Sequence, residues 1–249
     1  MIDRNLISLI TETARNRNLY MRCANSMNNR MKAECRHAVA DSDMSYAQVV
    51  AASKTLIEAL PDGEHPKLTP RLIMVLKPLL DTRKQYHDLR ADHEKQLRKL
   101  ARQLPVWPWV ETVNGFAELG LALIVAEAGD LNNYPNPAKL WKRFGYAPIK
   151  GKACSTWRRT GGLSAEDWVS AGYSPRRRSL MFTIGDSLIK KQNEYREIYL
   201  ARKAVEQLKA PEASKMLWHR RAQRYMEKRL LRDLWRAWRG LLAAIKKAA

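Results

Sequence analysis

The chain has 249 residues, 45% of them hydrophobic, which is long and apolar enough for one large or two small domains with a buried core. Its 45 Lys and Arg against 25 Asp and Glu leave a net charge of +20; this surplus attracts polyanions, nucleic acid first and an anionic membrane surface second, and it is shared by basic ribosome-associated or chaperone-like proteins. Three cysteines, Cys23, Cys35 and Cys154, form no C-x-x-C pair, which excludes a disulfide framework and points to a reducing, cytoplasmic setting.

The chain opens Met1-Ile-Asp-Arg-Asn5, without the basic stretch and apolar run of a signal peptide. Alternating β-branched runs are scarce and spacings of three and four are common, so the expected fold class is all-α. Residues 3–38 read as one long helix, with Leu6, Leu9, Ile10, Ala14, Arg17, Met21, Ala24 and Met31 along a stripe, and residues 46–60 as a second. Pro61 to Pro66 is a loop, after which Thr69 caps a helix with Pro70 at its first position. That helix runs to about Leu104 in heptad-like steps with a polar middle of Arg83, Tyr86, Arg90 and His93. Two arrangements fit: an antiparallel hairpin with residues 3–38, or an intermolecular coiled coil that makes a homo-oligomer. Asp88 and Asp92 beside His87 and His93 could be a metal site or a solvated face. Charge is uneven along the chain. Residues 1–100 hold 17 basic and 12 acidic residues, a net of +5, and residues 101–249 hold 28 and 13, a net of +15. Pro105-Val-Trp-Pro108 marks the expected boundary between a 1–104 long-helix, coiled-coil-like region and a basic helical domain over 105–249.

Within 110–131, a short helix ends at Val113, Asn114-Gly115-Phe116 makes a turn, and a second apolar helix ends at Gly129. This is the pattern of a helix-hairpin-helix, whose turn N–H groups can face a phosphate; a Gly-capped turn without that role has the same pattern. The longest apolar stretch, Leu119 to Ala128, is too short to span a bilayer and contains Glu127, so no membrane partner is expected. Asn136 then caps a helix with Pro137 at its first position, ending at Gly145.

The run from Val113 to Pro148 resembles the C-terminal domain of the insertion-sequence transposases associated with bridge RNA, a group that includes the pilin-gene invertases. The residues that carry the resemblance are Gly115, Glu127-Ala-Gly-Asp130, Tyr134-Pro-Asn-Pro-Ala-Lys-Leu140 and Gly145-Tyr-Ala-Pro148, followed by Gly172 and Arg176-Arg177-Arg178-Ser-Leu180. The two long helices stand where that family has its coiled-coil linker. The resemblance implies a DNA-binding protein of transposition or site-specific recombination, with a guide RNA and a serine nucleophile in the loop after Pro148. Ser155 is the best positional match, with Thr156 and Ser164 as rivals; Gly161-Gly162 stands later than the family's Ser-Gly neighbourhood.

A serine needs a base or a metal to attack phosphate. Lys150, Lys152, Arg158 and Arg159 could hold the phosphate, yet Glu166 and Asp167, the nearest carboxylates, are adjacent on a helix and point apart. The family's metal-binding nuclease-like domain has no counterpart in residues 1–104, so Mg2+ is expected only if a separate nuclease-like partner supplies its site. The alternative is a non-catalytic nucleic-acid-binding adaptor derived from such a transposase. Further on, Arg176, Arg177 and Arg178 open a helix and are candidate phosphate ligands. Residues 190–208 and 212–247 read as two more helices, the last interleaving Trp218, Tyr225, Trp235 and Trp238 with arginines. Those aromatics could stack on bases or fill a core.

Overall fold

The computed structural model describes residues 3–63 and 65–248, and their side chains apart from those of 155 and 241–248. It is all-α: eleven α-helices and one 3-10 turn among the described residues, with a single isolated β-bridge between Ile149 and Lys152. The chain divides into two units, residues 13–96 and residues 3–12 with 97–248. Both cuts, 12/13 and 96/97, fall inside helices.

The unit of residues 13–96 is built on α1 (Arg4–Val39), α2 (Tyr46–Glu58) and α3 (Pro70–Ala101), the first and third of which also run beyond it. Ser45 starts α2 with a capping box, its hydroxyl taking the Gln48 N–H while the Gln48 side chain takes the Ser45 N–H. Thr69 caps α3, accepting from Leu72 N at 3.2 Å, and α3 continues through Pro78. Met31, Cys35, Val39, Leu56, Leu60, Leu68 and Leu76 form one buried cluster. Polar residues of α3 and of the loop before it are matched across the hairpin. Arg17 pairs with Glu94 at 2.8 Å, Arg83 donates to Asn28 at 3.1 Å, and Lys67 donates to the Val39 carbonyl at 3.1 Å. As numbers rise along α1 they fall along α3, so the two helices pair antiparallel within one chain. Burial pushes the Glu94 carboxyl up, but hydrogen bonds from Arg17 and Arg90 outweigh it and hold Glu94 below the usual range.

The second unit contains α4 (Trp107–Glu111), α5 (Glu118–Ala128), α6 (Pro137–Arg143), α7 (Cys154–Thr160), α8 (Ala165–Ala171), α9 (Pro175–Lys190), α10 (Glu194–Lys209) and α11 (Lys215–Ala248). Helix α5 is apolar almost all round, and Leu121, Ala122, Ile124 and Val125 are buried, as such a helix must be. Helices α9, α10 and α11 pack on one another, and α11 also packs on α6. Along α11 the buried residues Ala222, Met226, Leu230, Leu234 and Trp238 recur every four positions. Gly185 lets α9 approach α11: a Cβ there would stand 2.6 Å from Glu227 Oε1 and 2.8 Å from Gln223 Nε2.

The motif residues of 127–145 act as local joints. Gly129 (φ 74°) closes α5, and Asp130 accepts from Asn132 N at 2.9 Å to start the 3-10 turn Leu131–Asn133. Asn136 caps α6 by accepting from Lys139 N, with Pro137 at the first position. Helix α11 is pinned here by its indoles. Trp238 Nε1 donates to Asp130 Oδ1 at 3.0 Å and Trp235 Nε1 to the Tyr134 carbonyl at 2.8 Å. Trp218 Nε1 donates to the Ala210 carbonyl at 2.8 Å. Trp238 is core, and Trp218 and Trp235 are partly buried.

Candidate nucleic-acid interface

The Asn114-Gly115-Phe116 turn forms where the sequence places it, with Gly115 at φ 93°. Its surroundings differ from those expected of a phosphate-facing hairpin. A Cβ on Gly115 would lie 3.1 Å from the Ser187 carbonyl oxygen and 3.2 Å from Leu188 Cα, so the end of α9 lies directly against the turn. Asn114 donates to the Gln192 carbonyl at 3.2 Å, and Asn193 donates to the Asn114 carbonyl at 2.6 Å. Phe116 is 3% exposed. Its ring belongs to the core, and its N–H donates to the Val113 carbonyl at 3.0 Å.

The basic loop after α6 is a tight two-residue turn. Ile149 and Lys152 exchange both backbone hydrogen bonds, at 2.9 and 3.0 Å, while Lys150 (φ 45°) and Gly151 (φ 73°) occupy the left-handed corner. Lys150 reaches Asp167 at 2.8 Å, which helps hold a backbone geometry that non-glycine residues rarely adopt. Asp167 also accepts from the Ser164 N–H, and the Ser164 hydroxyl accepts from the Asp167 N–H. The bond from Lys150, with that from Ser164, holds the Asp167 carboxyl below its usual range. Ser164 is thereby the cap of α8. Lys152 lies over the Trp157 ring, 4.8 Å from its centroid. Ser155 is the second residue of α7, and its side chain lies outside the described residues. Thr156 is half-buried, and Arg158 and Arg159 are exposed.

The three arginines that open α9 divide by partner. Arg176 and Arg177 both meet Glu127, at 2.5 and 3.0 Å, and Arg178 meets Glu227 at 2.8 Å. Arg177 and Arg178 are mostly buried, so they are committed to carboxylates inside the unit; Arg176 keeps a largely exposed side chain. Arg178 is held by Glu227 and also lines a cleft. A run of arginines does not reveal which of them meet carboxylates 50 residues away.

A feature that the sequence reading did not assemble is a cleft of about 590 Å³ between the loop after α6, α7, α9, α10 and α11. Arg158 of α7 and Arg178 of α9 line it. Arg202 and Lys209 come from α10, and Arg221, Arg224 and Lys228 from α11. Against these seven cations the lining holds one carboxylate, Glu206, which bridges Arg202 at 2.5 Å and Arg221 at 3.4 Å. Glu227 lies beneath, fully buried, accepting from Tyr146 Oη and Arg178 Nη1 at 2.8 Å each. Burial pushes Glu227 up to about 7, against the pull of Arg178 and Tyr146. Burial lowers Lys228, and repulsion from Arg224 and Arg178 lowers it further; Arg224 is lowered by burial and by Arg178. For Lys228 and Arg224 the charged form is thus disfavoured, and an anion entering the cleft would favour it again. The signal was present in helical spacing: 221, 224 and 228 share one face of α11, and 202 and 209 share one face of α10.

Cys154 on the cleft wall is 7% exposed, and burial raises its thiol. Among the described residues, no three His, Cys, Asp or Glu side chains gather in a way that could hold a metal ion, and no helix is long and apolar enough to cross a membrane. Comparison of the chain with known protein families, curated proteins and solved structures gives no match.

Proposed function

We propose that this chain binds nucleic acid through the basic cleft, and that it does so as a transposase- or recombinase-like protein. The observation that carries the binding reading is the convergence of seven Lys and Arg from four helices on one cleft walled by a single carboxylate. Charges so placed engage phosphates, and the binding energy comes largely from counterion release. The transposition context rests on the motif resemblance over 113–148, and with it the guide RNA. The reading has a catalytic form and, as its alternative, a non-catalytic adaptor. In the catalytic form Ser155 is the nucleophile, and Mg2+ is brought by a partner domain.

Fluorescence anisotropy with a labelled DNA between 50 and 300 mM salt tests the binding reading. Affinity falls with salt with a logarithmic slope of roughly −3 to −6, as about four to seven phosphate contacts require. Binding that does not change with salt contradicts it. A denaturation-resistant protein–DNA adduct, lost on Ser155→Ala, decides for the catalytic form over the adaptor.

A further inference from the structure

Beside the basic cleft lies a second hollow, of about 440 Å³, walled by Trp157, Leu163, Trp168, Tyr173 and Pro175, with Arg158 at its edge. The two hollows share Arg158 and Tyr173, so they adjoin. Their chemistry differs sharply. The first is cationic; the second is aromatic and has no carboxylate in its lining. The aromatic walls are fixed in place. Trp157 donates its indole N–H to the Ile149 carbonyl at 2.7 Å, and Trp168 packs on Tyr173 with ring centroids 5.1 Å apart. All three aromatic residues remain partly exposed, with Lys152 over the Trp157 ring.

A hollow of this size falls within the range of about 300–1,000 Å³ in which small planar ligands are held. Its position next to a phosphate-attracting cleft selects among them. A nucleotide is the ligand with a flat apolar ring a few bonds from an anion, and Arg158 stands where the two parts would join. In a duplex each base face is covered by its neighbours, and only its edges are open. A pocket of ring faces therefore admits a base only when it is unpaired or turned out of the stack.

We infer that the aromatic hollow takes the base of an unpaired nucleotide whose phosphate lies in the adjoining basic cleft, which makes single-stranded nucleic acid the preferred ligand. This rests on the nucleic-acid reading of the cleft, and the test separates the two. The wild-type protein is titrated with three probes of equal length: a DNA single strand, its duplex, and a strand with every base removed from the sugar–phosphate chain. The same titrations are made with Trp168→Ala, checked for helicity by circular dichroism. The wild type binds the single strand about five- to hundredfold more tightly than the abasic strand, the range seen when one stacking partner is lost, and more tightly than the duplex. Trp168→Ala closes the gap between normal and abasic strands while its salt-sensitive binding of the abasic strand persists.

Equal wild-type affinity for normal and abasic strands, with steep salt dependence, overturns the base pocket and leaves the cleft reading standing. A gap that survives in Trp168→Ala overturns it too, because the base then sits elsewhere. Absence of salt-dependent binding to any probe overturns both. The wild-type comparison needs no variant, so it holds even if Trp168→Ala fails to fold.

Discussion

Replacing Glu227 by Gln removes a titrating group from the base of the cleft while keeping the side chain's size. Glu227 is fully buried against Gly185 and accepts from Tyr146 and Arg178. Burial raises its carboxyl from 4.5 to about 7. Between those values the unfolded chain has lost the proton and the folded chain has kept it, so the folded state binds more protons. Stability therefore falls as pH rises through this window, at about 1.4 kcal/mol per pH unit, to a total of about 3 kcal/mol. The contribution is fully present below pH 4.5 and lost above pH 7. Other groups titrate alike in both proteins, so the difference between wild type and Glu227→Gln isolates it. Urea unfolding at half-unit steps from pH 4.5 to 8 measures that difference. The account expects the wild type to lose about 3 kcal/mol relative to the variant by pH 7. Parallel curves would refute it, since they mean that Arg178 and Tyr146 keep the carboxylate ionised throughout.

Gly185→Ala places a Cβ 2.6 Å from Glu227 Oε1 and 2.8 Å from Gln223 Nε2, and overpacking of this kind destabilises by about 1–3 kcal/mol, read by urea unfolding. Leu56→Ala opens the core of the 13–96 unit at a fully buried site and costs about 2–5 kcal/mol; a loss under 1 kcal/mol would mean that this core is loose. Trp238→Phe removes the bond to Asp130 and destabilises by about 1 kcal/mol, measured by the same unfolding assay. Cys154, buried and with its thiol raised, reacts with iodoacetamide at pH 8 more slowly than the half-buried Cys23, as peptide mass spectrometry would read.

The local punctuation of this fold is legible in the sequence. Thr69-Pro70, Asn136-Pro137 and the glycines at 115 and 129 mark helix ends through backbone chemistry that needs no tertiary context. The heptad-spaced polar residues of α3 also point to a helical partner. Whether that partner is the same chain depends on Arg17 and Asn28 standing opposite Glu94 and Arg83, which spacing alone cannot reveal. The site was harder to read for the same reason. Phe116 and Arg177 lie in patterns that look like surface motifs, but the Phe116 ring is buried and Arg177 is turned to Glu127. Conversely, Arg202, Arg221 and Lys228 read as charges scattered along two helices, and only the packing of α10 on α11 turns their faces to one cleft.

Net charge alone draws any polyanion to this protein, so the most direct test compares two variants of equal charge. Arg158→Glu with Lys209→Glu reverses two exposed cations at the cleft, and Arg71→Glu with Lys84→Glu reverses two exposed cations in the 13–96 unit. Each pair lowers the net charge by the same amount. Binding of a labelled single strand is titrated across salt for both. If the cleft is the interface, the first pair weakens binding by at least tenfold and makes the logarithmic salt slope shallower by about 1.4, two contacts at about 0.7 each, while the second pair stays within about twofold of wild type. Equal losses for the two pairs would contradict the account and leave only nonspecific attraction to a basic chain.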